Sequence, residues 1–98
     1  MREDNLGESL PERFALAQNH PNPFNPFTAI TYDLSEPSDV RLTIYAVTGQ
    51  RVATLVSGHQ QAGHYQVTWD ARGQASGLFF YRLEAGAFEE SKRMLLLK

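Results

Sequence analysis

The chain has 98 residues, with 9 Lys plus Arg against 11 Asp plus Glu and a net charge of −2. One domain is the natural reading, and nothing offers the basic footprint that nucleic acid or an anionic membrane surface would require. Without cysteine, disulfides, thiolate catalysis and Cys-ligated zinc are excluded, and no apolar run approaches the ~18 residues of a membrane-spanning helix.

Residues 1–13, MREDNLGESLPER, carry Arg2 and Arg13 against Glu3, Asp4, Glu8 and Glu12. This polar stretch, with Gly7 and Pro11, reads as a linker or mobile tail. It shows no signal peptide, so an exported chain would take its export signal from another segment. The ordered domain is expected to span residues 14–98, opening with a short strand at Phe14-Ala15-Leu16.

HPNPFNPF follows, residues 20–27. Proline fixes its own φ and pushes the preceding residue toward extended geometry. The segment is expected to be a stiff strap, anchored by burial of Phe24 and Phe27. Each buried ring is worth roughly 1.5–3 kcal/mol. Such a strap can cover a sheet edge, because proline cannot extend a ladder. It can also be a preformed surface that another protein reads.

TAITYDL then places Ile30, Tyr32 and Leu34 on one face, a half-buried strand. EPSD (36–39) reads as a turn. VRLTIYA sets Val40, Leu42, Ile44 and Ala46 against Arg41, Thr43 and Tyr45. VTGQ puts Gly49 where a hairpin needs positive φ. RVATLVS returns with Val52 and Val56 on one side and Leu55 on the other. SGHQQAGH (57–64) reads as a polar connection. YQVTWD alternates cleanly, with Tyr65, Val67 and Trp69 on one face. ARGQASG (71–77) is a loop, LFFYRLEAG a central strand, and FEESKRMLLLK the last strand. About seven short strands at intervals of roughly 8–12 residues indicate an all-β fold, an antiparallel β-sandwich; a barrel is the structural alternative.

Little in this pattern supports catalysis. His59 and His64 lie five apart, but no third ligand follows at metal-site spacing, so solvated loop histidines outweigh a metal pair. No partnered His and Asp are apparent around Ser76. Glu89 and Glu90 are neighbours on one strand and point to opposite faces. Asp33, Asp39 and Asp70 match no compact calcium loop; turn capping is the simpler use. The chain therefore reads as non-enzymatic, with no cofactor and no metal.

Four stretches are informative together: FALAQNHPNPFNPFTAITYDL, VRLTIYAVTGQRVATLV, AGHYQVTWDARGQASGLFFYRLEAG and KRMLLLK. They resemble the type IX secretion system C-terminal sorting domain (type A), itself related to the Ig-like domain of the flagellar hook-capping protein. The resemblance covers roughly residues 14–98. It implies a β-sandwich that directs an attached upstream cargo domain across the outer membrane after Sec export. Secretion translocon or shuttle proteins and a sortase-like peptidase would be its partners. The cargo would pass the periplasm and reach the cell surface or the medium.

By motif, the resemblance makes Pro21, Asn22, Pro23, Phe24, Asn25 and Pro26 the signature strap. Lys92, Met94, Leu95, Leu96, Leu97 and Lys98 belong to the recognised terminal region. Gly49, Gly63 and Gly77 would be turn positions, Trp69 and Tyr81 core, and Asp70 the partner of Trp69 in the Trp-Asp pair. If the last strand lies at a sheet edge, a partner could add a strand beside it. The competing reading is a structural or adhesive Ig-like accessory domain, flagellar-type or carbohydrate-binding. In the latter case Trp69, Tyr32, Tyr45, Tyr65 and Tyr81 could stack on sugars.

Overall fold

The computed structural model describes residues 9–98. The first eight residues of the expected linker lie outside that range. Seven strands follow: β1 (Ala15–Leu16), β2 (Phe27–Leu34), β3 (Ser38–Ala46), β4 (Arg51–Gln60), β5 (Gly63–Asp70), β6 (Gly77–Ala85) and β7 (Phe88–Leu96). They form two antiparallel sheets, ordered β1-β2-β5 and β4-β3-β6-β7. The described residues contain no helix. This is an Ig-like β-sandwich: the alternation indicates the sandwich, and the resemblance its Ig-like character.

The two inner faces interdigitate, as period-two strands require. β2 contributes Ile30, Tyr32 and Leu34; β3 contributes Val40, Leu42 and Ile44; β6 contributes Phe79, Tyr81, Leu83 and Ala85, all buried. Trp69 of β5 and Met94 and Leu96 of β7 complete the core. β6 lies between β3 and β7, which accounts for its nearly continuous apolar sequence.

Several local expectations are corrected. Ser38 and Asp39 belong to β3, so the first turn is shorter than EPSD. The polar stretch 57–64 is mostly strand: β4 runs to Gln60 and β5 starts at Gly63. Both strands have a free edge, and solvated edge strands need few apolar residues.

Leu55 packs against the core together with Val52, Ala53 and Val56. Two register shifts along β3–β4 explain this: Leu42 pairs with Val56 but Thr43 with Thr54, and Ile44 pairs with Ala53 but Tyr45 with Arg51. Each bulge inserts a residue and turns the following side chains over. Phe27 is 46% exposed rather than an anchor, and the Arg72 guanidinium lies 5.4 Å from its ring centroid. Gly63 and Gly77 begin strands instead of sitting in turns. Gly49 does occupy its turn, with φ 91°. Its N–H donates to the Ala46 carbonyl at 2.9 Å, while the Ala46 N–H donates to Gln50 at 2.8 Å.

Candidate functional site: the proline strap and the terminal strand

The strap leaves β1 as a continuation of its sheet. Ala17 N–H donates to Thr31 C=O at 3.0 Å, and His20 and Ala29 exchange bonds of 2.9 and 2.8 Å. The His20–Pro21, Asn22–Pro23 and Asn25–Pro26 bonds are cis. Prolines carry no N–H, so the strap's remaining donors and carbonyls must find partners elsewhere. They find them on the other sheet. Asn22 Oδ1 accepts the Leu95 N–H at 2.9 Å. Phe24 N–H donates to Leu95 C=O, and Leu97 N–H donates to Phe24 C=O, each at 3.0 Å. Phe24 thereby forms a parallel bridge with Leu96. Pro26 C=O then accepts the Ala71 N–H at 3.0 Å before β2 begins.

The Phe24 ring is buried between the sheets. It lies tilted against Trp69, with centroids 5.8 Å apart, and Trp69 meets Phe79 edge-on at 5.3 Å. These offset geometries suit the aromatic quadrupoles. At the other end of β7 Phe14, just before β1, stacks on Phe88 at 5.5 Å.

A polar network lies beneath the strap, joining Tyr81 and Pro21 to Gln18, Asn19 and Thr28, which sequence reasoning missed. The Tyr81 hydroxyl donates to Ala17 C=O at 2.7 Å and accepts the Asn19 N–H at 2.8 Å. Asn19 Nδ2 donates to Thr28 Oγ1 (2.9 Å) and to Pro21 C=O (3.1 Å), and Thr28 Oγ1 donates to Pro21 C=O at 2.9 Å. Gln18 Nε2 donates to Asn19 Oδ1 and to the carbonyl of Arg93 on β7, both at 2.7 Å. Asn19 and Thr28 are buried, so these bonds satisfy groups that would otherwise be costly to bury. Burial pushes the Tyr81 hydroxyl up to about 12; the bond from the Asn19 amide opposes the shift and nearby Glu90 adds to it.

The residues expected in recognition therefore divide. Phe24, Met94 and Leu96 are buried core. Leu95 and Pro26 are half-buried, as is Lys92, which pairs with Glu90 at 3.2 Å. Pro21, Asn22, Pro23, Asn25, Leu97 and Lys98 are exposed, and the Phe24 bridge brings these two exposed groups together. The terminal strand does lie at a sheet edge. Its last residues, however, are already bonded to the strap, which limits strand addition there.

Trp69 and Tyr81 are core, along with Tyr32. Asp70 is exposed and grips Arg72, accepting from Nε at 3.0 Å and Nη2 at 2.7 Å; these bonds hold its carboxyl below the usual carboxylate range.

Both later histidines are solvated, as expected, but they stand on strands β4 and β5 rather than in a loop, and each has a carboxylate partner. His59 pairs across β3–β4 with Asp39 at 3.0 Å, and His64 pairs across β2–β5 with Asp33 at 2.7 Å. Each lies on a different sheet. Among the described residues no three His, Asp or Glu side chains gather as a metal site.

Two sheets with this order and a solvent-facing strap define a non-helical Ig-like module. The family model described as the FlgD Ig-like domain matches residues 26–87, more than half of the chain, so the chain belongs to that family. The match leaves residues 20–25 of the strap and all of β7 outside it. No curated protein and no solved structure matches the chain.

Proposed function

We propose that this Ig-like domain is a non-catalytic sorting module, carrying an attached cargo through type IX secretion to the cell surface or medium. One observation supports the reading: the Phe24 bridge to Leu95 and Leu97. The two motifs behind the resemblance, the proline strap and the terminal strand, meet as one surface, held by a buried aromatic ring. A receptor that must read many cargoes needs such a surface on the domain itself. Translocon or shuttle proteins would read it, and a sortase-like peptidase would remove the domain.

The test fuses residues 1–98 behind a signal peptide and a fluorescent passenger in a host with type IX secretion. Passenger in the medium or on the surface is expected. Passenger retained in the periplasm, with the domain folded, contradicts the proposal.

The family match favours a second reading, an Ig-like accessory domain that spaces or caps subunits in a surface assembly. Its carbohydrate-binding form has weaker support, because Trp69, Tyr32 and Tyr81 are buried and cannot stack on a sugar.

A further inference from the structure

A sandwich of two open sheets has exposed edges that invite pairing with other chains. Three of the four edges here carry protection. β1 has two residues and runs into the proline strap. β4 is broken by two register shifts. β7 carries Glu89, Lys92 and Arg93, and its end is bonded to Asn22 and Phe24. β5 has less protection, with its one carboxylate, Asp70, at its very end. It pairs with β2 in unbroken register over all eight residues, GHYQVTWD. It contains no proline, Lys, Arg or Glu.

The hydrogen bonds identify which groups are free. Ala71 N–H donates to Pro26 C=O, continuing the β2–β5 register in which Phe27 pairs with Asp70. Bonding direction alternates along an antiparallel strand, so Trp69, Val67, Tyr65 and Gly63 also point their main-chain groups at β2. On β2, Ala29 and Thr31 accordingly bond the other way, to His20 and Ala17. The outward groups of β5 are thus the N–H and C=O of His64, Gln66, Thr68 and Asp70. No described main-chain group bonds to them.

This edge is complementary to itself. In an antiparallel pairing with a two-fold axis at Val67, His64 faces the second copy's Asp70 and Gln66 faces its Thr68. All four outward residues are used, forming about eight inter-chain main-chain bonds. Shifting the axis by one residue leaves outward groups unpaired. The chosen register also sets His64, when protonated, beside the second copy's Asp70 at both ends of the exposed outer face, where each could add a contact to the one it makes in its own chain, with Asp33 and Arg72. We infer that two copies of this chain associate edge to edge through β5, joining their three-stranded sheets into a continuous six-stranded one. The strap lies at the β1 and β7 side, so it stays exposed in such a dimer.

Sedimentation equilibrium of residues 1–98 over a concentration series tests this, together with amide exchange. A dimer is expected, with exchange at His64, Gln66, Thr68 and Asp70 slowing as concentration rises. Both side chains changed in the test are solvent-exposed, so the monomer fold should tolerate them; circular dichroism melting checks this. Gln66→Lys with Thr68→Lys places like charges opposite each other and should weaken association at least about tenfold. Gln66→Glu with Thr68→Lys places opposite charges there and should restore it. A chain that stays monomeric, as it would if the edge accepted a foreign extended segment instead, overturns the inference. So does a dimer indifferent to both variants.

Discussion

Phe24 and Leu96 face each other across a parallel bridge, which ties the main chain of the strap from the first sheet to the last strand of the second. The main-chain groups of Phe24 close this bridge on Leu95 and Leu97 at 3.0 Å each, while its ring fills the gap beside Trp69. Sequence, packing and the proposed recognition surface all meet at this residue.

Phe24→Ala removes a buried ring and is expected to cost about 3–5 kcal/mol. Total stabilities of single domains are about 5–15 kcal/mol, so the loss is a large share. Urea denaturation would show a lower midpoint. An unchanged midpoint would mean that the ring is not buried in solution.

Tyr81→Phe keeps the ring and deletes only the hydroxyl bonded to Ala17 and Asn19. The buried Asn19 N–H and the part-buried Ala17 C=O lose their partner, at about 1–3 kcal/mol. The fold should persist, and amide exchange at Asn19 should quicken more than at Leu42 in β3.

Alkaline stability depends on the same hydroxyl. Its folded value is raised to about 12, against an ordinary value near ~10. The folded state therefore holds this proton more tightly. The stabilisation is complete below about pH 10 and declines as pH rises toward about 12. Tyr32 shifts in the same direction, through burial opposed by its bond to Gln60. Urea midpoints at pH 8 and pH 11 should differ, with a smaller drop in Tyr81→Phe.

His64 is raised above its ordinary value, chiefly by the hydrogen bond to Asp33. Its contribution is complete below the unfolded value and disappears as pH rises through the folded one. Asp33→Asn should lower the NMR titration midpoint of His64 toward ~6.5. A midpoint that stays put would separate the two side chains.

The alternation of Ile30, Tyr32 and Leu34, or of Tyr65, Val67 and Trp69, made the strands legible, because each side chain reports its face every second residue. Leu55 was not legible, since its orientation depends on bulges set by pairing with β3. The polar run 57–64 hid two strand ends, because an edge strand with a solvated face has no need of apolar residues. At the candidate site Phe24 was readable as a hydrophobic anchor. Gln18, Asn19 and Thr28 were not: a polar residue in a loop carries no sign of burial until its partners, far away in sequence, are placed. Met94, Leu95, Leu96 and Leu97 show the same limit, with one strand end divided between core and solvent by a bridge to residue 24.

The central physical claim is that strap and terminal strand form one folded unit. Amide hydrogen exchange at Phe24 and Leu97 tests it most directly, because both N–H groups bond only across that junction. Strong protection at both, lost together in Phe24→Ala, is the expected result. Exchange at the rate of a free peptide in the unaltered chain would contradict the claim.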